Sequence, residues 1–123
     1  MRFDDDTWRT GKAEITVLLQ ETARMRGTIT YSDLSKRLQT IVIPYDDPAM
    51  ATMLDEVSSE EFAAGRGMLS AVVIHKHGDQ LPGPGFFKLA ESLGCAVIDR
   101  TSFWVSELQT VHTYWSNHLQ SKH

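Results

Sequence analysis

Apolar and polar positions along the first half of the chain alternate with helical spacing. From Lys12 to Arg26, Ile15, Leu18, Leu19, Thr22 and Ala23 recur every three or four residues, which predicts a helix. Gly27 is placed to stop it, and Arg24 and Arg26 fall in its last turn, where cations complement the helix dipole. The stretch 28–31 is β-prone. Thr30 and Asp33 also have the spacing of a capping box, opening a short helix marked by Leu34 and Leu38. Residues 41–44 are apolar and end at Pro44, which predicts an extended segment or a buried loop. Asp47 is a good N-cap, Pro48 suits the first helical position, and Met50, Met53, Leu54 and Val57 supply one apolar face. The segment SSEE (58–61) reads as a second capping box, so a bend and one more turn through Phe62 are expected before Gly65.

In the second half the pattern changes period. Met68 to Lys76 holds the strongest strand signal, followed by turn residues at 77–80. The segment 81–85 cannot join a regular ladder, because Pro82 and Pro84 lack amide donors. A short helix from Phe86 to Leu93 is closed by Gly94, and Cys95 to Ile98 reads as a brief buried strand. A final helix capped at Ser102 places Trp104, Leu108, Val111, Trp115 and Leu119 on one stripe, which is core or a homodimer seam. Residues 1–10 read as a polar arm with Phe3 and Trp8 as docking points, and residues 11–123 as a single domain. The order helix, strand, helix, helix, strand, loop matches a winged-helix domain. The first strand would pair beside the 69–76 strand, with 77–85 as the wing. The expected class is α+β, mainly helical, with a winged-helix-like core, a short β-hairpin or wing and an added C-terminal helix.

Composition narrows the function classes. At 123 residues there is room for one domain, and 41% apolar against 23% charged residues is a globular balance. A lone cysteine, Cys95, excludes an internal disulfide framework and a four-cysteine zinc site. The longest apolar runs are no longer than a buried strand, which argues against a membrane partner. The opening MRFDDDTWRT has no apolar core, so a secretory signal is not expected and a cytoplasmic location is.

Three segments together carry a resemblance: GTITYSDLS (27–35), LSAVVIHK (69–76) and LPGPGFFKLA (81–90). They resemble a family of small uncharacterised bacterial proteins over most of residues 12–119, and no established activity comes with that resemblance. The stretch from Gly27 to Tyr31 before a helix, and Val73 to Lys76, are similar to the winged-helix DNA-binding domain of O6-alkylguanine DNA alkyltransferases. Ile74 stands where that family has its nucleophilic cysteine, and the matching proline and asparagine are missing, so the resemblance does not imply alkyl transfer.

The candidate chemistry is mostly charge. The net charge is −4, and residues 46–61 carry Asp46, Asp47, Asp55, Glu56, Glu60 and Glu61 with no Lys or Arg, so a major-groove reader at that helix is disfavoured. Positive charge lies elsewhere: Arg24, Arg26, Lys36 and Arg37 near the second helix, and Arg66, His75, Lys76, His77 and Lys88 around the wing. The leading expectation is a non-enzymatic accessory or regulatory domain. It would bind nucleic acid through Arg24, Arg26, Lys36, Arg37, Lys76 and Lys88, with His75 and His77 nearby. One alternative is a protein-interaction module presenting Asp55, Glu56, Glu60 and Glu61 to a basic partner. Another is a small metal-dependent hydrolase using His75, His77 and Asp79, which alternate along a strand into its turn. Cys95 sits in an apolar run, which predicts an inert thiol. No nucleophile elbow, phosphate loop or zinc-protease motif is present, and no cofactor is expected. Gly83 and Gly85 would let the backbone approach a partner closely, with the prolines stiffening the loop and Phe86 or Phe87 as an anchor or as core.

Overall fold

The computed structural model describes residues 3–118 and is mainly helical. In chain order it has α1 (Asp5–Arg24), β1 (Ile29–Thr30), α2 (Tyr31–Arg37), α3 (Pro48–Ala63), β2 (Val73–Ile74), α4 (Pro84–Ser92) and α5 (Arg100–Asn117). A 3-10 turn at Leu69–Val72 leads into β2. The two strands pair in parallel, Ile29 opposite Val73 and Thr30 opposite Ile74. The expected partners do meet, over two residues each, and no hairpin forms among the described residues.

The strand expected over 68–76 is short for a specific reason. The Met68 amide donates to Glu107 at 2.8 Å, the Ser70 amide to the Ser58 hydroxyl at 2.9 Å, and the Ala71 carbonyl accepts the Trp104 indole N–H at 2.8 Å. Side chains of α3 and α5 thus satisfy backbone groups that a neighbouring strand would otherwise have to satisfy. A buried apolar run looks the same in either arrangement. Met68 to Val73 are all buried, and the core gathers around them from Ile15, Leu19, Leu34, Met53, Val57 and Val111.

Helix ends account for several departures from expectation. Residues 5–10 are not an arm: the Asp4 carboxylate accepts the Thr7 amide at 2.7 Å, and Asp5 and Asp6 occupy the positive end of the α1 dipole. Gly11 therefore lies inside α1, where a Cβ would come within 2.6 Å of Ile41. Its bare backbone lets the 41–43 segment cross the helix, with Ile41 and Ile43 buried and Val42 turned outward. At the other end Arg26, not Gly27, takes the left-handed turn at φ 54°. The Arg26 amide bonds the Ala23 carbonyl and the Gly27 amide the Thr22 carbonyl, at 2.9 and 3.0 Å.

No bend occurs at 58–61. Ser58 and Glu61 point inward from an uninterrupted α3, which closes at Gly65 with φ 82°. Cys95 to Ile98 form no strand. The Cys95 amide closes α4 onto the Ala90 carbonyl at 3.0 Å, and Ile98 is 95% exposed. Asp99, rather than Ser102, caps α5 by accepting the Ser102 amide at 3.0 Å. The tryptophan stripe packs within the chain against α1 and the 3-10 turn, Val111 and Trp115 being buried; Leu119 lies outside the described residues. Phe86 and Phe87 are both core, stacked edge-on at 5.1 Å and in contact with Phe103.

Candidate functional site

The short sheet decides what stands beside what. β1 runs directly into α2 and β2 directly into residue 75, so the parallel register sets Tyr31 beside His75, ring centroids 4.9 Å apart. The Tyr31 hydroxyl accepts the Gly83 amide at 2.8 Å, and the His75 amide donates to the Leu81 carbonyl at 3.0 Å. The loop expected at 77–85 is therefore closed at 75–81, with left-handed turns at Gly78 and Gln80, and Pro84 already belongs to α4. Gly83 sits against both rings. A Cβ there would stand 3.4 Å from the Tyr31 hydroxyl and from His75 Nε2.

Tyr31, Tyr45 and His75 line two adjoining cavities. The larger, about 560 Å³, runs between α2 and the loop and is lined by Lys36, His75, Lys76 and His77 together with Ser32, Ser35 and Pro44. The smaller, about 270 Å³, is lined by Met50, Leu54, Pro48 and Phe86 and by Asp46, Asp47 and Asp55. One groove is cationic and the next is acidic and apolar, with an aromatic wall between them.

Of the nominated basic residues, Lys36, His75, Lys76 and His77 share the larger groove, and Arg37 follows Lys36 at the exposed end of α2. Arg26 and Lys88 are exposed but line neither cavity. Arg24 is committed elsewhere: its Nε donates to the His118 carbonyl at 3.3 Å and its guanidinium lies 5.0 Å from the Trp115 ring centre, tying α1 to α5. Lys36 and Lys76 form no ion pair with any described residue, whereas Arg9, Lys12 and Arg66 do.

The carboxylates of α3 are largely spoken for. Glu61 is buried and held by Arg66 through two bonds of 2.8 and 2.9 Å. Glu60 meets Lys12 at 2.7 Å; Glu56 accepts the Trp8 indole at 2.9 Å and lies 3.4 Å from Lys12. The hydrogen bond to Glu60 is the main reason the Lys12 ammonium is held above its ordinary pKa. Asp55 differs. It bonds no described residue, and burial raises its pKa above the usual aspartate range. Tyr31 is raised as well, chiefly by burial and further by the Asp55 charge, while the Gly83 amide opposes the shift.

The metal constellation does not assemble: no group of three or more histidine, cysteine, aspartate or glutamate side chains converges among the described residues. The Asp79 carboxylate instead accepts the Leu81 amide at 3.3 Å within the loop. Cys95 is half-buried, and burial followed by the Glu107 charge pushes its thiol up, away from the nucleophilic thiolate. Among the described residues no helix is long and apolar enough to cross a membrane. Tyr45, an exposed aromatic at the mouth of both cavities, was not nominated from sequence; the turn signal Pro44-Tyr45-Asp46 was its only visible mark. No protein-family model, curated protein or solved structure matches the chain.

Proposed function

We propose that the chain is a non-enzymatic, winged-helix-like domain that binds nucleic acid in the groove between α2 and residues 75–77. One observation carries this reading: Lys36, His75, Lys76 and His77, from two separate elements, line one exposed groove, and its lysines form no ion pair with a described carboxylate. Free cations facing one groove are what phosphate binding requires, whatever the sign of the whole molecule. Tyr31 and Tyr45 along the same groove add aromatic surface of the kind on which bases stack. The element order and the β1–β2 pairing support the winged-helix-like description, with the 75–81 loop as a reduced wing. The test is fluorescence anisotropy with a labelled DNA duplex and a labelled single strand at low salt. Saturable binding to either supports the reading; no binding to both removes it.

A further inference from the structure

The smaller cavity has a chemistry that nucleic-acid backbone binding does not use. Its lining is mostly apolar, from Met50, Leu54 and Phe86, and it carries three carboxylates, Asp46, Asp47 and Asp55, against the single imidazole of His75 on the wall shared with the larger groove. No Lys or Arg lines it. Asp47 already caps α3 through the Ala49 amide at 2.8 Å, and Ser70 is taken up by Ser58 at 2.6 Å. Asp55 is left as a half-buried carboxylate with no hydrogen bond or ion pair to a described residue. The Tyr31 hydroxyl accepts from Gly83, which leaves its own proton free to donate. Burying a carboxylate without a partner costs free energy, and a cation entering the cavity would offset that cost.

We infer that this cavity binds a small organic cation, an amine carried on a single aromatic ring, with the ammonium on Asp55 and the ring among Met50, Leu54 and Phe86. Charge complementarity selects the ammonium over a carboxylate. Tyr31 and Tyr45 also line the cavity, and aromatic rings are the side chains that add to the binding of a cation. The volume, about 270 Å³, lies just below the usual ~300–1,000 Å³ of drug-sized sites, which suits one ring with a short arm. Pro48 at the start of α3 and Pro84 at the start of α4 stiffen the two rims, so little ordering is needed on binding. This site stands independently of the nucleic-acid reading, although the two cavities share a wall.

The experiment is a titration of the full chain with phenethylamine, with 3-phenylpropionate as the isosteric anion, followed by amide NMR shifts. Phenethylamine is expected to shift the amides of Asp55, Tyr31 and Gly83 saturably, and the anion to bind at least about tenfold more weakly. Asp55→Asn should cost phenethylamine about tenfold and abolish the preference for the cation. Ala51→Leu, at an exposed helical position on the cavity rim, should weaken both ligands while leaving the fold intact. Equal binding of amine and carboxylate, affinity unchanged in Asp55→Asn, or no shifts with phenethylamine would each overturn the assignment.

Discussion

The acidic face of α3 and the groove between α2 and residues 75–77 carry opposite charge, but they differ more in what that charge is engaged with. On α3, Glu56, Glu60 and Glu61 are matched by Lys12 and Arg66, cations from α1 and from the loop after α3. In the groove, Lys36 and Lys76 meet no described carboxylate. The helix with the densest charge therefore spends most of it inside the molecule, and the modest basic cluster keeps its charge for a partner. Net charge counts both equally; binding capacity depends on the second.

Breaking the internal pairs gives the largest effects. Arg66→Met leaves Glu61 buried without its cation and should cost about 3–5 kcal/mol in urea unfolding, most of it recovered in Arg66→Met/Glu61→Leu. A loss of only a few tenths would show that Glu61 is not held as described. Lys12→Met strands two carboxylates that keep water contact, so a cost of about 1 kcal/mol or less is expected, shrinking at high salt. A salt-insensitive loss would point to packing of the lysine stem instead.

Asp55 sharpens the contrast with a change of sign. Its folded-state pKa is raised by burial, so ionising it disfavours the fold. That cost is fully present above the folded pKa and vanishes once pH falls below the ordinary aspartate value. Asp55→Asn should therefore stabilise the protein modestly at neutral pH, with the gain disappearing as pH falls through the carboxylate range. Urea midpoints across pH check this, and a stability loss at neutral pH would mean that the carboxylate has a partner.

Much of the framework was legible in sequence because local chemistry determines it. Thr30 and Asp47 cap their helices where the spacing placed them, and the strands that pair are the ones expected to. What was misread depended on distant side chains. A run such as 69–74 does not disclose that Ser58, Trp104 and Glu107 will satisfy its backbone. Nor does the pattern from Lys12 onward disclose that Gly11 lies inside the same helix, with Ile41 lying across it. The same holds for the site. Lys36, His75, Lys76 and His77 stand out on charge and do share a groove, but Arg24 stands out equally and is tied up against Trp115 and the His118 carbonyl. Glu61 reads as half of a capping box and is instead an inward-facing partner of Arg66.

The most direct test of the central claim is the salt dependence of DNA binding in the wild type and in Lys36→Gln/Lys76→Gln. Both lysines are exposed and free of described ion pairs, so the double variant should unfold within about 0.5 kcal/mol of wild type. If both contact phosphates, the slope of log affinity against log salt should flatten by about 2, with weaker binding at every salt concentration. An unchanged slope and affinity in a folded double variant would contradict the account and place any DNA contact outside this groove.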